Sequence, residues 1–266
     1  GILIALWIYG RKGKPGQNYL QVLDRVSIVL ALACVFIGAG NFFNAEIIGK
    51  PTNSKTGVVF TSPVTEGMVK IPCCIMRTPG GKNPLDFVTV KKDDAPTADS
   101  AGRSPMILYT FFTPGANEQL VNEFLMGDVK TYLFDRSEFV YEPGTEPLHY
   151  TIFVEEDVYT ARIRTKGIAR HPVQLYESIC CLILFSLLYL IWKKYKAGTS
   201  SGRIFGLFFT LYWSMLFATS YLKENEVPLI DGIALSIGQL VSITLLLVGV
   251  VVLAYSYKRT PATLNN

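Results

Sequence analysis

Residues 175–192 read LYESICCLILFSLLYLIW, an apolar run close to the roughly 20 residues that an α-helix needs to cross a bilayer. Three further apolar runs of this kind occupy 25–43, 204–222 and 233–256. Residues 1–9, GILIALWIY, have the composition of the second half of another span. The sequence therefore predicts an α-helical integral membrane protein with four full spans and one partial span.

The first residues do not have the features of a signal peptide. They begin inside an apolar segment, with no Met and no charged region before it. We therefore expect the sequence to start within a membrane span and the protein as synthesised to be longer.

The composition agrees with a membrane protein. Half of the 266 residues are hydrophobic and 17% are charged, against about 25% in a typical soluble domain. This balance excludes a disordered chain and a nucleic-acid-binding protein built on a basic surface. The five cysteines form no CxxC and have no histidine at ligand spacing, which argues against a disulfide framework and predicts no metal site.

Lysine and arginine gather in three segments, at 11–25, 193–203 and 258–259. All three fall on one side of the membrane if the spans alternate in direction. The positive-inside rule assigns that side to the cytoplasm. The long insertion at 44–173 then lies outside, and the C-terminus lies in the cytoplasm.

The insertion predicts a β-rich extracytoplasmic domain over 58–168, between membrane parts at 1–57 and 169–266. Its segments alternate or are β-branched and aromatic, and Pro, Gly, Asn and Asp separate them, which is typical of strands. The predicted strand segments are VVF (58–60), MVKIPCCIM (68–76), LDFVTV (85–90), MILYTFF (106–112), TYLFD (131–135), LHYTIFVEE (148–156) and YTARIRT (159–165). One short helix is predicted within NEQLVNEFLMG (117–127).

Polar side chains at the outer end of the second span indicate a functional site, because each unsatisfied polar group in hydrocarbon costs several kcal/mol. Asn41, Asn44 and Glu46 lie there in the stretch NFFNAEIIG. Asn41 and Asn44 are three residues apart, which predicts that both amides project from one helix face.

A second polar group opens the next span, in RHPVQLYE at 170–177. Gln174 and Glu177 are one turn apart, so we expect them on one face, with Arg170 and His171 just outside the helix. A carboxylate this far into a span usually faces a cavity or a partner. These residues, together with those of the preceding span, predict one polar cavity that opens towards the outer leaflet.

A third polar position, Gln239 in SIGQ (236–239), lies within the last span. Each group also has a structural interpretation. Asn and Gln in spans often form only interhelical hydrogen bonds, and an Arg-His pair at a membrane boundary often only anchors headgroups. Both interpretations stay open at this point.

Four segments carry a resemblance to a known family. NFFNAEIIGKPT (41–52) and RHPVQLYE (170–177) resemble the two signatures of the prolipoprotein diacylglyceryl transferase family, and IFGLFFTLYW (204–213) and SIGQLVSI (236–243) are similar to its later segments. They occur in the family's order and spacing. Members of this family are integral membrane enzymes that begin bacterial lipoprotein maturation.

The resemblance implies a reaction and a set of site residues. It implies transfer of a diacylglyceryl group from phosphatidylglycerol to the lipobox cysteine of a prolipoprotein, without a cofactor, in the bacterial inner membrane. The implied catalytic residues are Glu46, His171 and Glu177. The implied lipid- and substrate-binding residues are Asn41, Asn44, Arg170, Gln174, Tyr176, Tyr212 and Gln239. The partners are then a phospholipid, the signal peptide of a prolipoprotein and the membrane, with no nucleic acid.

Three positions depart from the family pattern. Gly38 and Leu216 stand where the family has arginines, and Ser220 stands where it has a glutamate. The family's His-Gly-Gly motif falls before Gly1. Arginine suits a phosphate leaving group because its planar, permanently charged fork pairs two oxygens. We therefore expect the loss of both arginines to lower the rate on the order of 10³-fold, with Arg170 and His171 compensating in part.

Two hypotheses remain, besides a less favoured channel or transporter, which would need paired broken spans with midplane charges. The first is a working transferase that uses Arg170 and His171. The second is a degenerate relative that keeps the fold and serves as a lipid- or lipoprotein-binding subunit of an envelope complex.

Overall fold

The computed structural model describes residues 19–71, 83–93, 102–155, 157–195, 200–224 and 235–258, together with residues 4, 8 and 9. The chain divides into two compact units. The first, here the membrane unit, comprises Gly1–Ile48 and Val173–Asn266. The second, here the sheet unit, comprises Gly49–Pro172.

The described elements of the membrane unit are all helices, whereas the sheet unit contains both helices and strands. In chain order they are α1 (Tyr19–Phe43), β1 (Val58–Val59), α2 (Ser62–Val69), β2 (Leu85–Lys92), β3 (Arg103–Phe112), α3 (Glu118–Phe124), a π-helical turn (Leu125–Val129), α4 (Lys130–Asp135), β4 (Val140–Tyr141), β5 (Tyr150–Glu155), β6 (Val158–Arg170), α5 (Val173–Tyr195), α6 (Arg203–Ser220) and α7 (Ile237–Lys258).

The four predicted full spans are confirmed as helices, with shifted ends. Within the part of the chain that the structure describes, α1, α5 and α7 are long and apolar enough to cross a membrane. The remaining predicted span forms α6, which has 18 residues. The predicted partial span at 1–9 lies mostly outside the described residues. The chain is thus a membrane protein built around apolar helices.

Helix α1 starts at Tyr19, six residues before the predicted span, and contains a buried carboxylate near this end. Asp24 is 6% exposed. Its two carboxylate oxygens accept hydrogen bonds from the backbone N–H groups of Gly202 and Phe205, each at 2.8 Å. These groups belong to the start of α6, where backbone N–H groups lack partners within their own helix and favour a negative charge.

Helices α6 and α7 pack closely at two glycines. A Cβ atom at Gly206 would lie 2.7 Å from the backbone nitrogen of Leu253, and one at Gly249 would lie 2.6 Å from that of Thr210. Small residues allow this close approach in membrane helices, where association depends on van der Waals packing. One cluster of buried apolar residues in this unit contains Ala31, Leu184, Leu188, Ile204 and Phe208.

The sheet unit contains a six-stranded sheet in which β6 is the central strand. The main path runs β1-β6-β3-β2, and β4 and β5 also pair with β6. All pairs are antiparallel. Helices cover one face: the ring of Phe112 in β3 makes an edge contact with that of Phe124 in α3, and Tyr150 in β5 donates to the Asn122 side chain.

Most of the predicted strands are confirmed: β1, β2, β3, β5 and β6 lie within or extend the segments 58–60, 85–90, 106–112, 148–156 and 159–165. The segment 68–76 is wrong at its start, where Met68 and Val69 end α2, and its residues 72–76 lie outside the described part.

The strand prediction for TYLFD at 131–135 is also wrong, because one helical run extends from Glu118 to Asp135. Asn117 caps its start by accepting the N–H of Leu120. The fully buried residues of this run recur every fourth position, at Val121, Leu125, Val129 and Leu133. This helical period extends past the predicted helix and outweighs the β-type composition of TYLFD.

The contact at Gly206 gives a stability prediction. We expect Gly206→Ala to destabilise the protein by about 1–3 kcal/mol, because the added methyl group meets the backbone of α7, which cannot rotate away. The measurement is the midpoint of thermal unfolding in detergent. Gly40→Ala is the matched control, since a Cβ atom there meets nothing within 4 Å. A midpoint for Gly206→Ala equal to that of the control would contradict this packing.

Candidate active site

Hydrogen bonds connect four chain segments at one end of the membrane unit. These segments are the residues that follow α1, the start of α5, the end of α6 with the residues after it, and the start of α7. Most of the polar residues that the sequence singles out in this unit lie in these segments. The side-chain hydrogen bonds here join residues that are 19 to 128 positions apart in the sequence.

The loop after α1 departs from the prediction. Asn41 lies in the helix, but Asn44 does not share its face, because α1 ends at Phe43 and Asn44 starts a turn. The turn is tight: Ala45 and Ile47 have φ angles of 52° and 54°. Left-handed backbone is costly for a β-branched residue such as Ile47, and such strain is found mostly at functional sites.

Three hydrogen bonds fix this loop on both sides of the exposed residue Glu46. The backbone N–H of Glu46 donates to the carbonyl of Asn41 at 2.9 Å. The carbonyl of Glu46 accepts from the Nε2 of Gln174 at 2.6 Å. The carbonyl of Ile48 accepts from the N–H of Glu224, beyond the end of α6, at 3.0 Å. The carboxylate of Glu46 is therefore presented by a defined backbone rather than by a loose loop.

Gln174 joins the two sequence motifs directly. It lies in the first turn of α5 and is 1% exposed. Its Nε2 donates to the Glu46 carbonyl, whereas its Oε1 is buried and has no donor within reach among the residues that the structure describes. A buried acceptor without a donor costs about 1–3 kcal/mol. Gln174 thus offers an acceptor to a hydroxyl or N–H group brought by a ligand.

Glu177, one turn further along α5, is held by two partners. Its Oε1 lies 2.7 Å from the Nζ of Lys223 and accepts a hydrogen bond at 2.6 Å from the hydroxyl of Thr219. The side chains of Glu177 and Lys223 are 16% and 15% exposed. The expectation that this carboxylate faces a partner is met by Lys223.

Gln239 has a structural role at the start of α7. Its side-chain Oε1 accepts from the backbone N–H of Ser236, and the Ser236 hydroxyl accepts from the backbone N–H of Gln239. This reciprocal pair is a capping box. The Nε2 of Gln239 donates to the Ser220 hydroxyl at 2.9 Å, so Ser220 connects α6 with α7. The S-x-x-Q spacing would have revealed the cap in the sequence.

The two tyrosines among the predicted site residues differ in position. Tyr176 is partly buried in the first turns of α5. Tyr212 packs in the core of the unit, where its ring stacks on that of Phe208 at a centroid distance of 5.3 Å and its hydroxyl contacts the thiol of Cys34.

Arg170 and His171 belong to the sheet unit. Arg170 is 3% exposed, and its guanidinium donates to the backbone carbonyls of Glu138, at 2.5 Å, and of Gly49, at 2.9 Å. The backbone N–H of His171 donates to the carbonyl of Lys50 at 3.1 Å. These contacts fasten the end of β6 to the segment that precedes β1.

Gly38, which stands where the family resemblance places an arginine, lies at a helix contact. A Cβ atom here would come within 3.0 Å of both the Gln174 carbonyl oxygen and the Ser178 Cβ. Ser178 also donates to the carbonyl of Val35 at 2.8 Å. Helices α1 and α5 therefore meet closely at this position.

Sequence reasoning missed Lys223 as a cation of the membrane unit. The sequence did contain a signal, because Lys223 is the sole basic residue in 204–232. It lies three residues after Ser220, and this spacing brings residues to one side of a helical turn. Among the described residues, no group of three or more His, Cys, Asp or Glu could hold a metal ion.

Comparisons with known proteins agree on one family. The family model described as prolipoprotein diacylglyceryl transferase matches residues 1–255. A phosphatidylglycerol–prolipoprotein diacylglyceryl transferase of Chloroherpeton thalassium is 34% identical over 97% of this chain and 58% of its own length. Proteins with the same name from Protochlamydia amoebophila and Tolumonas auensis are 25% and 24% identical, over 94% and 97% of this chain. The chain spans 41% and 60% of the lengths of those two relatives, or about half.

The pair of Glu177 and Lys223 gives a prediction for stability. We expect Glu177→Gln and Lys223→Met each to lower the free energy of unfolding by about 3 kcal/mol, because each leaves one buried charge without its counterion. The double variant should lose less than the sum of the two. The measurement is a double-mutant cycle by denaturant or thermal unfolding in detergent. Additive losses would show that the two side chains do not interact.

Proposed function

Because the chain belongs to the prolipoprotein diacylglyceryl transferase family, we propose that it transfers a diacylglyceryl group from phosphatidylglycerol to the lipobox cysteine of a prolipoprotein. The thiolate sulfur attacks the glycerol carbon that carries the phosphate, a C–S bond forms, and the C–O bond to the phosphate breaks. Glycerol phosphate leaves. The thiol proton passes to a base on the protein, since the thiolate is the nucleophile.

We place the protein in the bacterial inner membrane with the spans alternating in direction. In this topology α1, α5, α6 and α7 all cross, the sheet unit at 49–172 lies outside, and the C-terminus lies in the cytoplasm. The distribution of Lys and Arg along the sequence supports this orientation. The polar end of the membrane unit then lies at the outer leaflet, where the lipobox cysteine of an exported protein arrives.

The observation that supports transfer best is the direct contact between the two signature motifs. Gln174 of RHPVQLYE holds the carbonyl of Glu46 in NFFNAE, and the loop around Glu46 is kept in a strained conformation. A backbone that is strained and pinned on both sides positions a side chain more closely than a relaxed loop does. We assign the carboxylate of Glu46 as the base that takes the thiol proton.

The substrate headgroup needs a cation and polar partners. Lys223 supplies a positive charge within the membrane unit, and its pairing with Glu177 fixes its position. A role of Arg170 and His171 with the phosphate is implied by the family resemblance alone. The buried Oε1 of Gln174 accepts a hydrogen bond from a headgroup hydroxyl, since it has no donor among the described residues.

A second candidate function is supported by the contact at Gly38. The close approach of α1 and α5 crowds any side chain added at Gly38, where the resemblance places an arginine, and Leu216 and Ser220 are also neutral. A protein that keeps the polar end of the membrane unit but lacks these charges would bind lipid or lipoprotein without turnover, as a subunit of an envelope complex.

One assay separates the two functions. The purified protein is mixed with a lipobox peptide in detergent that contains phosphatidylglycerol. Release of glycerol phosphate with the matching mass gain on the peptide supports the transferase. Retained binding of phosphatidylglycerol without turnover supports the binding subunit.

The assignment of Glu46 predicts the effect of one substitution. Glu46→Gln should lower the transfer rate by about 10²- to 10³-fold, because an amide cannot accept the thiol proton. Binding of phosphatidylglycerol and the unfolding midpoint should stay close to those of the unmodified protein. The matched control is Glu66→Gln, an exposed carboxylate of the sheet unit in a surface pair with Lys70. Equal rates for both variants would remove Glu46 from the mechanism.

The contact at Gly38 predicts that restoring the family arginine does not restore its function. Gly38→Arg should lower the free energy of unfolding by about 1–3 kcal/mol and should not raise the transfer rate, because its Cβ meets the backbone of α5. Unfolding midpoint and turnover are measured together. A stable variant with faster turnover would show that the two helices separate readily at this point.

A further inference from the structure

We propose that the face of the sheet opposite its helices docks onto an anionic bilayer surface. This helix-free face is formed by the strand residues whose side chains point away from α2, α3 and α4. The strand register identifies it, since Leu108, Ala161 and Ile163 are fully buried on the other face and successive residues alternate. This inference concerns the sheet unit alone and does not depend on transfer activity.

The helix-free face is strongly basic. Its side chains include the cations Lys91 in β2, Arg103 in β3, and Arg162, Arg164 and Lys166 in β6. The cross-strand partners place them together: Lys91 is opposite Ile107, which is opposite Arg164. Three carboxylates accompany them: Glu155 lies on this face at the end of β5, Asp86 lies in the bulge of β2, and Asp93 directly follows β2 opposite Pro105. The face therefore attracts anions.

Aromatic rings lie between these cations. They are Phe87, Tyr109, Phe111, Tyr141 and Phe153. The Arg162 guanidinium lies 5.5 Å from the ring centroid of Tyr109 and 5.7 Å from that of Phe153, and the Arg103 guanidinium lies 3.5 Å from that of Tyr141. The rings of Phe87 and Phe111 stack at 4.2 Å.

Several of these rings are exposed. Phe87 is 46% exposed and Phe153 is 40% exposed. Large apolar side chains that remain in water among cations are typical of a surface that enters the headgroup region of a bilayer, where rings and basic side chains are both favoured. An acidic protein partner would match the charge, but it would leave the exposed phenylalanines without an apolar surface unless it brought one of its own.

A cavity of about 420 Å³ lies at one end of this face. Its lining combines the basic residues Arg103, Arg164 and Lys166 with His149 and with the carboxylates Glu142 and Glu146. Burial raises the pKa of the Glu142 carboxyl, although a hydrogen bond from the Thr165 hydroxyl opposes this shift. The three basic residues outnumber the two carboxylates of the lining. The size and charge suit a phosphate headgroup.

The chain also tethers the sheet unit to the membrane. The sheet unit is joined to apolar helices at both ends, by α1 before it and α5 after it. A tethered module experiences a high effective concentration of the surface to which its tether is anchored, so weak contacts suffice. Each basic residue near an anionic surface adds attraction, which salt weakens.

The test measures lipid contact of this face in the intact protein. An environment-sensitive fluorescent amino acid is introduced at Thr89, an exposed position of the helix-free face, or at Gln119, an exposed position of α3. The protein is reconstituted in nanodiscs of phosphatidylcholine, or of phosphatidylcholine with phosphatidylglycerol, that contain a headgroup-level quencher. We expect quenching at position 89 and not at position 119, only in the anionic discs, and its loss in about 1 M salt.

Charge variants make the test specific. Lys91→Gln with Arg164→Gln should lower the ratio of docked to undocked protein by about 25-fold, since each basic residue contributes roughly a fivefold factor. The matched control is Lys92→Gln with Lys70→Gln, which removes two exposed charges away from this face. Docking is overturned by equal quenching in the two kinds of disc, by equal quenching at positions 89 and 119, or by equal effects of the two double variants. An acidic protein partner would give the first of these results.

Discussion

Every polar group buried among the membrane helices must find a partner inside the protein, because hydrocarbon offers none. This constraint explains most of the specific contacts in the membrane unit. Asp24 is satisfied by the start of α6, Ser178 by a carbonyl of α1, and Gln239 by Ser236 and Ser220. The contacts of Asp24 and Ser178, and that of Gln239 with Ser220, each join two helices. The polar groups thus fix the arrangement of helices that are otherwise similar in their apolar surfaces.

Because buried polar groups need partners inside the protein, the unpaired amide oxygen of Gln174 is informative. Its amide nitrogen is satisfied and its amide oxygen is buried without a donor among the described residues. Among the described residues of the membrane unit, it is the one buried side-chain nitrogen or oxygen atom without a hydrogen-bond partner. The acceptor lies in the motif that contacts the Glu46 loop, so the open position belongs to the candidate active site.

Hydropathy and alternation were sufficient to predict the four helices of the membrane unit and most of the strands, because both signals depend on a pattern repeated over many residues. The predictions failed where the structure depends on residues outside the short segment that was considered. TYLFD has strand composition, yet the buried residues from Val121 to Leu133 continue a helical period. Asn44 was predicted to lie on the helix of Asn41, but that helix ends at Phe43, one residue earlier. Lys223 was missed because its partner, Glu177, is 46 residues away in the sequence, and pairing across that distance depends on how α5 and α6 pack.

The loop at 44–48 shows how packing and chemistry are connected. Non-glycine residues in the left-handed region cost about 1–3 kcal/mol each, and Ala45 and Ile47 both adopt it. Three hydrogen bonds hold the loop in this conformation: the Glu46 N–H donates to the Asn41 carbonyl, the Glu46 carbonyl accepts from the Gln174 side chain, and the Ile48 carbonyl accepts from the Glu224 N–H. Gln174 can donate its hydrogen bond to the Glu46 carbonyl only because α5 lies close against α1, and Gly38 permits that approach. The close approach at Gly38 therefore lets the two motifs meet. If the family resemblance places an arginine at this position correctly, the missing charge and the fixed Glu46 loop have the same cause in the packing of α1 against α5.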